Sequence, residues 1–380
     1  MCLRILNPFL ALLCVALLPA HAQWVKITRA DEIRLPSKII DGNSPGFWKG
    51  GILNVFTSTG EPVGMAGGGL SDLAMADAPE VFPATHYPLW IESVWRESDE
   101  VVYAWYHHEP EAESVCGFRK LTEPVIGALK STDGGRTFVD LGVILSSGDL
   151  PDCNAENGYF AGGHGDFSVV LDREREYFYF LFTNYGGPLQ RQGVAVARMR
   201  FEDRDFPLNA VFKYAEGEWD QPGVGGMVSP IFPARVSWVS SRADSFWGPA
   251  VHWNTFLQRH VLVMNRACCR TNWPQEGIYL SFSNDIADPA SWTAPEKILD
   301  DSDIGFTPGY YPQIWGVDQG ESDSLAGQRG RLFVKGISKW EVEFSNERPE
   351  GVFGPGSPER VDHSPGSSLP QTAGPLRRRR

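Results

Sequence analysis

Gly165-Asp166-Phe167-Ser168-Val169, followed after a turn by the apolar run Tyr177 to Thr183, is one of five stretches of the same design in a chain of 380 residues. The others are Asn43-Ser44-Pro45-Gly46-Phe47-Trp48, Leu89-Trp90-Ile91-Glu92-Ser93-Val94, Trp247-Gly248-Pro249-Ala250-Val251 and Tyr311-Pro312-Gln313-Ile314-Trp315. Around each, a polar or Pro-containing turn feeds a strand, a hairpin turn follows, and the next strand is the most apolar of its group: Gly51 to Phe56, Val101 to Tyr106, Val261 to Asn265 and Arg331 to Ile337 repeat the pattern. These runs are short and bounded by Gly, Pro, Asn or Asp, which marks strands, not helices. The units recur irregularly, about 40 to 80 residues apart, a loose repeat of the kind propeller blades make. A single small sheet cannot bury both faces, so the units must stack around an axis. The fold expected is all-β, a five-bladed β-propeller over residues 23–345; the competing arrangement, a β-sandwich with long insertions, gives no reason for the five stretches to recur.

The flanks read differently. Arg4 precedes an apolar run from Phe9 to Leu18 that ends in Ala20-His21-Ala22, the pattern of a cleaved secretory signal over residues 1–22. Its apolar core is too short to span a bilayer, so a secreted or periplasmic protein is expected, with no membrane attachment after signal removal. Residues 346–380 are rich in Pro, Gly, Ser and charge and end in four arginines, a composition expected to stay disordered. A net charge of −13 argues against nucleic acid as a partner. Forty Gly, 28 Pro, 13 Trp, 11 Tyr and 22 Phe suit many tight turns and stacking surfaces. Beyond the signal the cysteines are Cys116, Cys153, Cys268 and Cys269; export permits disulfides, and three pairings are possible. A Cys116–Cys153 bridge would clip two loops, whereas the adjacent Cys268 and Cys269 are expected to be free or to pair outward.

Ser131-Thr132-Asp133-Gly134-Gly135-Arg136-Thr137-Phe138 resembles the Asp-box carried on hairpins of sialidase-like and other propellers, with a weaker echo at Ser283-Asn284-Asp285 and Ser291-Trp292. Its chemistry is structural: the Asp satisfies turn amides, the glycines accept positive φ and the aromatic closes over the turn. The five stretches together, with Gly277-Ile278-Tyr279-Leu280-Ser281-Phe282-Ser283, resemble five-bladed glycoside hydrolases of families 43, 32, 68 and 117. The resemblance runs from about Asp41 to Phe344. Tyr106-His107-His108-Glu109-Pro110 and Trp247 to Asn254 mark a similar group of secreted bacterial proteins with that fold.

The resemblance implies three acidic groups at the inner ends of successive blades: a base, an orienting carboxylate and a general acid. The family's first-blade Asp-Pro phrase falls at Asn43-Ser44-Pro45, where Asn replaces the base, and Asp41, two residues upstream, is the substitute candidate. Asp166, set among glycines, matches the second acid. Glu92 lies among Trp90, Ile91 and Val94, an apolar surround of the kind that suits a proton donor. Glu109 follows His107 and His108 at a strand end. His252 falls where the acid-bearing blade opens and is a substitute acid, since His donates protons near neutral pH. The catalytic candidates are therefore Asp166, Glu92, Glu109, His252 and Asp41. Candidate sugar-binding groups are Asn43, Trp48, His107, His108, His164, Trp247, Trp253, Asn254, Tyr311 and Gln313; Trp90, Tyr310 and Trp315 add stacking surface.

No serine-hydrolase elbow, zinc-binding His-Glu helix, phosphate loop or dinucleotide fingerprint is present, and no Arg lies in the five stretches, which disfavours a sialidase. The reading is a secreted, monomeric glycoside hydrolase with a carbohydrate substrate, no catalytic metal and no cofactor, a structural calcium being left open. The alternative is a non-catalytic propeller that binds glycan or protein.

Overall fold

The computed structural model describes residues 24–347, except 39, 111, 118–119, 272 and 306–309; the signal segment and nearly all of the tail expected from sequence lie outside this range. Five sheets form the blades of a β-propeller, antiparallel except where Glu80–Phe82 and Leu325–Ala326 add short parallel strands to two of them. Blade I comprises Gly46–Lys49, Ile52–Ser58, Pro62–Gly67 and Ala74–Ala76, and blade II Leu89–Arg96, Val102–His108, Val125–Ser131 and Thr137–Leu145. Blade III runs His164–Leu171, Tyr177–Asn184, Gly193–Arg200 and Val211–Ala215, and blade IV Asp244–Asn254, Arg259–Cys268, Gln275–Ser283 and Glu296–Asp300. Blade V holds Pro312–Gly316, Arg329–Val334 and Ile337–Ser345, and its outermost strand is the N-terminal segment Trp24–Arg34. That strand pairs from Trp24 opposite Ser345 to Arg34 opposite Ile337, so the first and last strands close the ring in one sheet. Among the described residues no helix is long and apolar enough to cross a membrane.

Each recurring stretch supplies the innermost strand of one blade. The second strands are uniformly apolar because their alternate residues face different neighbours. Phe178, Phe180 and Phe182 of blade III pack on Tyr103, Trp105 and Ile126 of blade II. Tyr179 and Leu181 point the other way, onto Val251, Leu262 and Met264 of blade IV. Equivalent clusters join IV to V through Val261, Val263, Leu332 and Trp340, V to I through Trp315, Phe333 and Val55, and I to II through Phe47, Phe56 and Phe138. Five interfaces, each shared by two adjacent blades, make the ring the unit that buries apolar surface.

Polar residues in the stretches have a separate task. An innermost strand has a free inner edge, and its amides and carbonyls need partners. Ser93 Oγ accepts from Val169 N and donates to Val169 O at 3.1 and 3.2 Å, and Ser168 Oγ accepts from Val251 N at 2.9 Å. Gln313 Oε1 accepts from Ser44 N at 2.7 Å, and Asn43 Nδ2 donates to Phe167 O and Pro249 O at 2.9 and 3.3 Å. The Ser93, Ser168 and Gln313 bonds lace neighbouring blades together, and Asn43 reaches across the axis from blade I to blades III and IV.

The Ser131–Phe138 hairpin joins the two outer strands of blade II. Asp133 Oδ1 accepts from Arg136 N, Thr137 N and Ser131 Oγ at 3.0, 2.9 and 2.8 Å, and Oδ2 from Thr137 Oγ1 at 2.8 Å. Gly134 and Gly135 have φ of 78° and 87°, and Phe138 is fully buried beneath. Against the opposing pull of desolvation, the Thr137, Ser131 and Arg136 bonds lower Asp133 to about 2. Asp133→Ala should cost about 1–2 kcal/mol, the worth of these partly exposed bonds. Because the folded-state value lies below the unfolded one, the difference from wild type should hold above pH 4 and shrink as pH falls toward 2, measured by urea unfolding. The Ser283–Trp292 echo occupies the matching hairpin of blade IV, with Ser283 Oγ 2.6 Å from Ser291 Oγ and Ser291 Oγ donating to Asp285 O at 2.6 Å.

Cys116 is bonded to Cys153, linking the segment after the second strand of blade II to the loop that leads into blade III. Cys268 and Cys269 are bonded to each other, contrary to the expectation that adjacent cysteines stay apart; Cys269 accommodates the turn with φ of 73°.

Candidate functional site

All five innermost strands begin at the same end of the ring, and there a cavity of about 300 Å³ lies on the axis. Trp90 and Asp166 come from the starts of the innermost strands of blades II and III, Trp247 from that of blade IV, and Tyr310 and Tyr311 precede that of blade V. Asp41, on the segment entering blade I, Glu109, Lys120 and Thr122 of blade II, Tyr159 and Phe160 before blade III, and Trp273 of blade IV complete the wall.

The floor is shaped by irregularities in three innermost strands. Pairing slips between Ile91 and Ser93, between Gly165 and Phe167, and between Trp247 and Ala250. A bulge re-aims the residue it carries, and the first two carry Glu92 and Asp166. Asp166 has φ of 41°, a conformation that costs a non-glycine residue about 1 kcal/mol or more. Gly165 is needed beside it, because a Cβ there would lie 2.8 Å from His107 Cε1. Gly42 has φ of 145°, and its Cβ would lie 3.0 Å from Glu92 Oε1.

Asp166 is 3% exposed, and the Tyr185 hydroxyl donates to its Oδ2. Tyr185 is held between Phe160, stacked at 4.2 Å, and Trp238, edge-on at 5.2 Å. Glu92, 1% exposed, lies behind the floor and accepts from Phe167 N at 2.8 Å. The His107 ring bridges two carboxylates, with Nδ1 3.5 Å from Glu92 Oε1 and Nε2 3.4 Å from Glu109 Oε1. Thr122 Oγ1 donates to Glu109 Oε2 at 3.3 Å, and Tyr311 OH lies 3.5 Å from Asp41 Oδ1.

Crowding these groups out of water sets their protonation. Burial, reinforced by the Glu92 charge, pushes Asp166 up to about 7, with His107 and Tyr185 pulling the other way. Burial works against a charged His107, but Glu109 and Glu92 outweigh it and hold the imidazole well above its usual value. Asp41 is raised by burial, partly offset by Lys335. Burial and the facing Asp166 raise the Tyr185 and Tyr311 phenols.

Glu92, His107 and Asp166 each offer one ligand atom within 4.8 Å of the others. Calcium takes six to eight oxygens; two carboxylates and one imidazole nitrogen do not make that set. Asp244, Cys268 and Cys269 are similarly close, but the two sulfurs are bonded to each other.

Of the residues singled out from sequence, Asp41, Trp90, Glu109, Asp166, Trp247, Tyr310 and Tyr311 line this cavity, with Glu92 and His107 directly behind. The others lie elsewhere. His252 is buried between blades IV and V, 6.0 Å from the Phe344 ring, near the end of its strand away from the cavity. Asn43 Nδ2 and Gln313 Oε1 are engaged in the axial bonds described above. His164 is buried against Phe182 and paired with Lys213 Nζ at 3.1 Å. His108, on the strand face opposite His107, bonds Pro88 O at 2.9 Å and packs on His86. Trp48 and Trp253 border a separate cavity of about 530 Å³ at the far end of the channel, and Asn254 caps a turn there through Phe256 N and Leu257 N. Trp315 is buried between blades V and I. Sequence reasoning missed Lys120, Thr122, Tyr159, Phe160, Trp273 and Tyr185, whose loops and strand ends carry no period; the aromatic pair closing the long loop before blade III was the available signal.

No protein-family model matches the sequence, and no curated protein does. Among solved structures, the chain is similar to an endo-arabinase from Bacteroides thetaiotaomicron, at 10% identity over 86% of this chain and 100% of that one, with a TM-score of 0.49. It is also similar to a thermostable family-43 glycoside hydrolase (11% identity, 87% and 97% of the two chains, TM-score 0.49). A third is the α-L-arabinanase of Cellvibrio cellulosa complexed with arabinohexaose (11% identity, 80% and 92%, TM-score 0.46).

Proposed function

We propose that this protein is an exported carbohydrate hydrolase that cleaves a glycosidic bond in the axial cavity. The observation that carries the reading is a buried carboxyl, Asp166, held near 7 at the floor of an aromatic-walled pocket whose rim bears two further carboxylates, Asp41 and Glu109. Aromatic faces suit the apolar faces of sugar rings, and a general acid works best with a value close to the working pH.

In this reading Asp166 delivers its proton to the departing glycosidic oxygen, and Asp41 takes a proton from the water that attacks the anomeric carbon. The bond from that carbon to the leaving oxygen breaks as the bond to water's oxygen forms, and the acid and base exchange protonation states overall. Glu92 does not touch the sugar; its charge keeps the proton on Asp166. His107 holds Glu92 and Glu109 in place.

The test is release of reducing ends from a panel of plant, algal and bacterial polysaccharides by the protein lacking residues 1–22. The reading expects activity that declines as pH rises through about 7, where Asp166 loses its proton. Binding without release would select a glycan-binding propeller instead. Tyr185→Phe provides a sharper check: the phenol's bond favours ionised Asp166, so its loss should move the alkaline limb upward and cut turnover about tenfold, the equivalent of one such bond. An unmoved limb would remove Tyr185 from the scheme.

A further inference from the structure

Resting on that reading of the cavity, we infer that the protein works from a chain end, taking a single sugar ring into the pocket. Cleavage inside a polymer needs a groove open at two sides so that chain can continue both ways. Among the described residues the wall is closed at every blade junction. Between II and III, Thr122 N donates to Tyr159 O at 2.7 Å, with the Cys116–Cys153 bridge behind. Between III and IV, the Tyr159 and Trp273 rings meet at 5.0 Å.

Between IV and V, Trp247 contacts Tyr310 and Tyr311 at 5.3 and 5.7 Å. Between V and I, Tyr311 OH approaches Asp41 at 3.5 Å, and between I and II, Leu89 N donates to Gly60 O at 2.7 Å beneath Trp90. The wall is also stiff on its longest side. Asn157 Oδ1 accepts from Tyr159 N and Phe160 N at 2.7 and 2.8 Å while its Nδ2 donates to Trp238 O at 2.7 Å, and Glu156 N donates to Val239 O at 2.7 Å. About 300 Å³ lies at the small end of ligand pockets, which run from about 300 to 1,000 Å³, and holds a terminal ring with its hydroxyls.

The experiment follows products and viscosity together on a polysaccharide the protein hydrolyses. The expected result is one-ring product from the earliest time point while viscosity falls slowly. Early internal oligosaccharides with a rapid fall in viscosity would overturn the inference and leave the hydrolase reading intact; no hydrolysis of any glycan would overturn both. Tyr159→Ala/Trp273→Ala opens the III/IV wall and should raise KM on short oligosaccharides about tenfold, with longer products appearing. Unchanged KM and products in that variant would also count against a closed pocket.

Discussion

Asp166→Asn should reduce turnover on any hydrolysed glycan by at least about a thousandfold, the scale of a lost general acid, and should leave the ring as stable as wild type or more so. The amide keeps the side chain's shape, and its oxygen still accepts the Tyr185 hydroxyl, but it carries no transferable proton. The stability half follows from linkage. Asp166 is raised from 3.8 to about 7 in the folded state, so its favourable contribution is complete below the unfolded value and disappears as pH rises through 7. Above that pH its forced ionisation costs up to about 4 kcal/mol, at 1.36 kcal/mol for each unit of displacement. The variant escapes that cost and should match or exceed wild type in Tm at pH 8 while being inactive. A residue retained only for folding would behave in reverse, losing stability with no preferential effect on turnover. Retained activity in Asp166→Asn would exclude it as the proton donor.

That trade explains why a left-handed, buried acid is tolerated at this point in the ring. The bulge at Gly165–Phe167 turns Asp166 toward the axis, Gly165 clears room for His107, and Glu92 sits close enough to keep the proton in place. Each device stabilises the fold less than a regular strand would, and together they make one carboxyl reactive at neutral pH.

The five blades were legible because burial against two neighbours writes an uninterrupted apolar run into every second strand, as at Tyr177 to Thr183. The innermost strands were legible for a different reason: their polar residues satisfy the free inner edges of other blades, so Ser93, Ser168 and Asn43 recur among apolar neighbours. The same fact made part of the site illegible. An innermost strand has two ends, and a sequence does not say which faces the substrate. Glu92, Asp166 and Trp247 lie at or near the starts of their strands and reach the cavity region, whereas Trp48, Trp253 and Asn254, equally polar or aromatic, lie at the opposite mouth. Asn43 looked like a replaced base because it occupies the right step of the chain, yet its amide bridges blades III and IV. The wall residues Tyr159, Phe160 and Trp273 sit in irregular connections held by backbone bonds, where no periodicity exists to be read.

His252, which the sequence offered as a proton donor, is instead expected to be a point of acid failure. With His260 it lies buried in blade IV; burial holds His252 at about 3, aided by His260, and holds His260 at about 4, aided by Arg173. Both folded values lie below the ordinary 6.5, so the unfolded chain binds protons first. The stability these neutral rings contribute is fully present above 6.5 and is lost as pH falls. Between pH 6.5 and 4.5 each should forfeit about 2.5 kcal/mol, about 5 kcal/mol together, a large share of the 5–15 kcal/mol typical of a domain. The urea midpoint of the wild-type protein should therefore drop over that interval, with His164, which burial also holds well below its ordinary value, adding to the fall and the raised Asp166 partly offsetting it. His252→Leu/His260→Leu removes both titrating rings and should flatten the profile, whatever its stability at pH 7. Parallel profiles for the two proteins between pH 6.5 and 4.5 would show that neither histidine is held neutral in the folded ring.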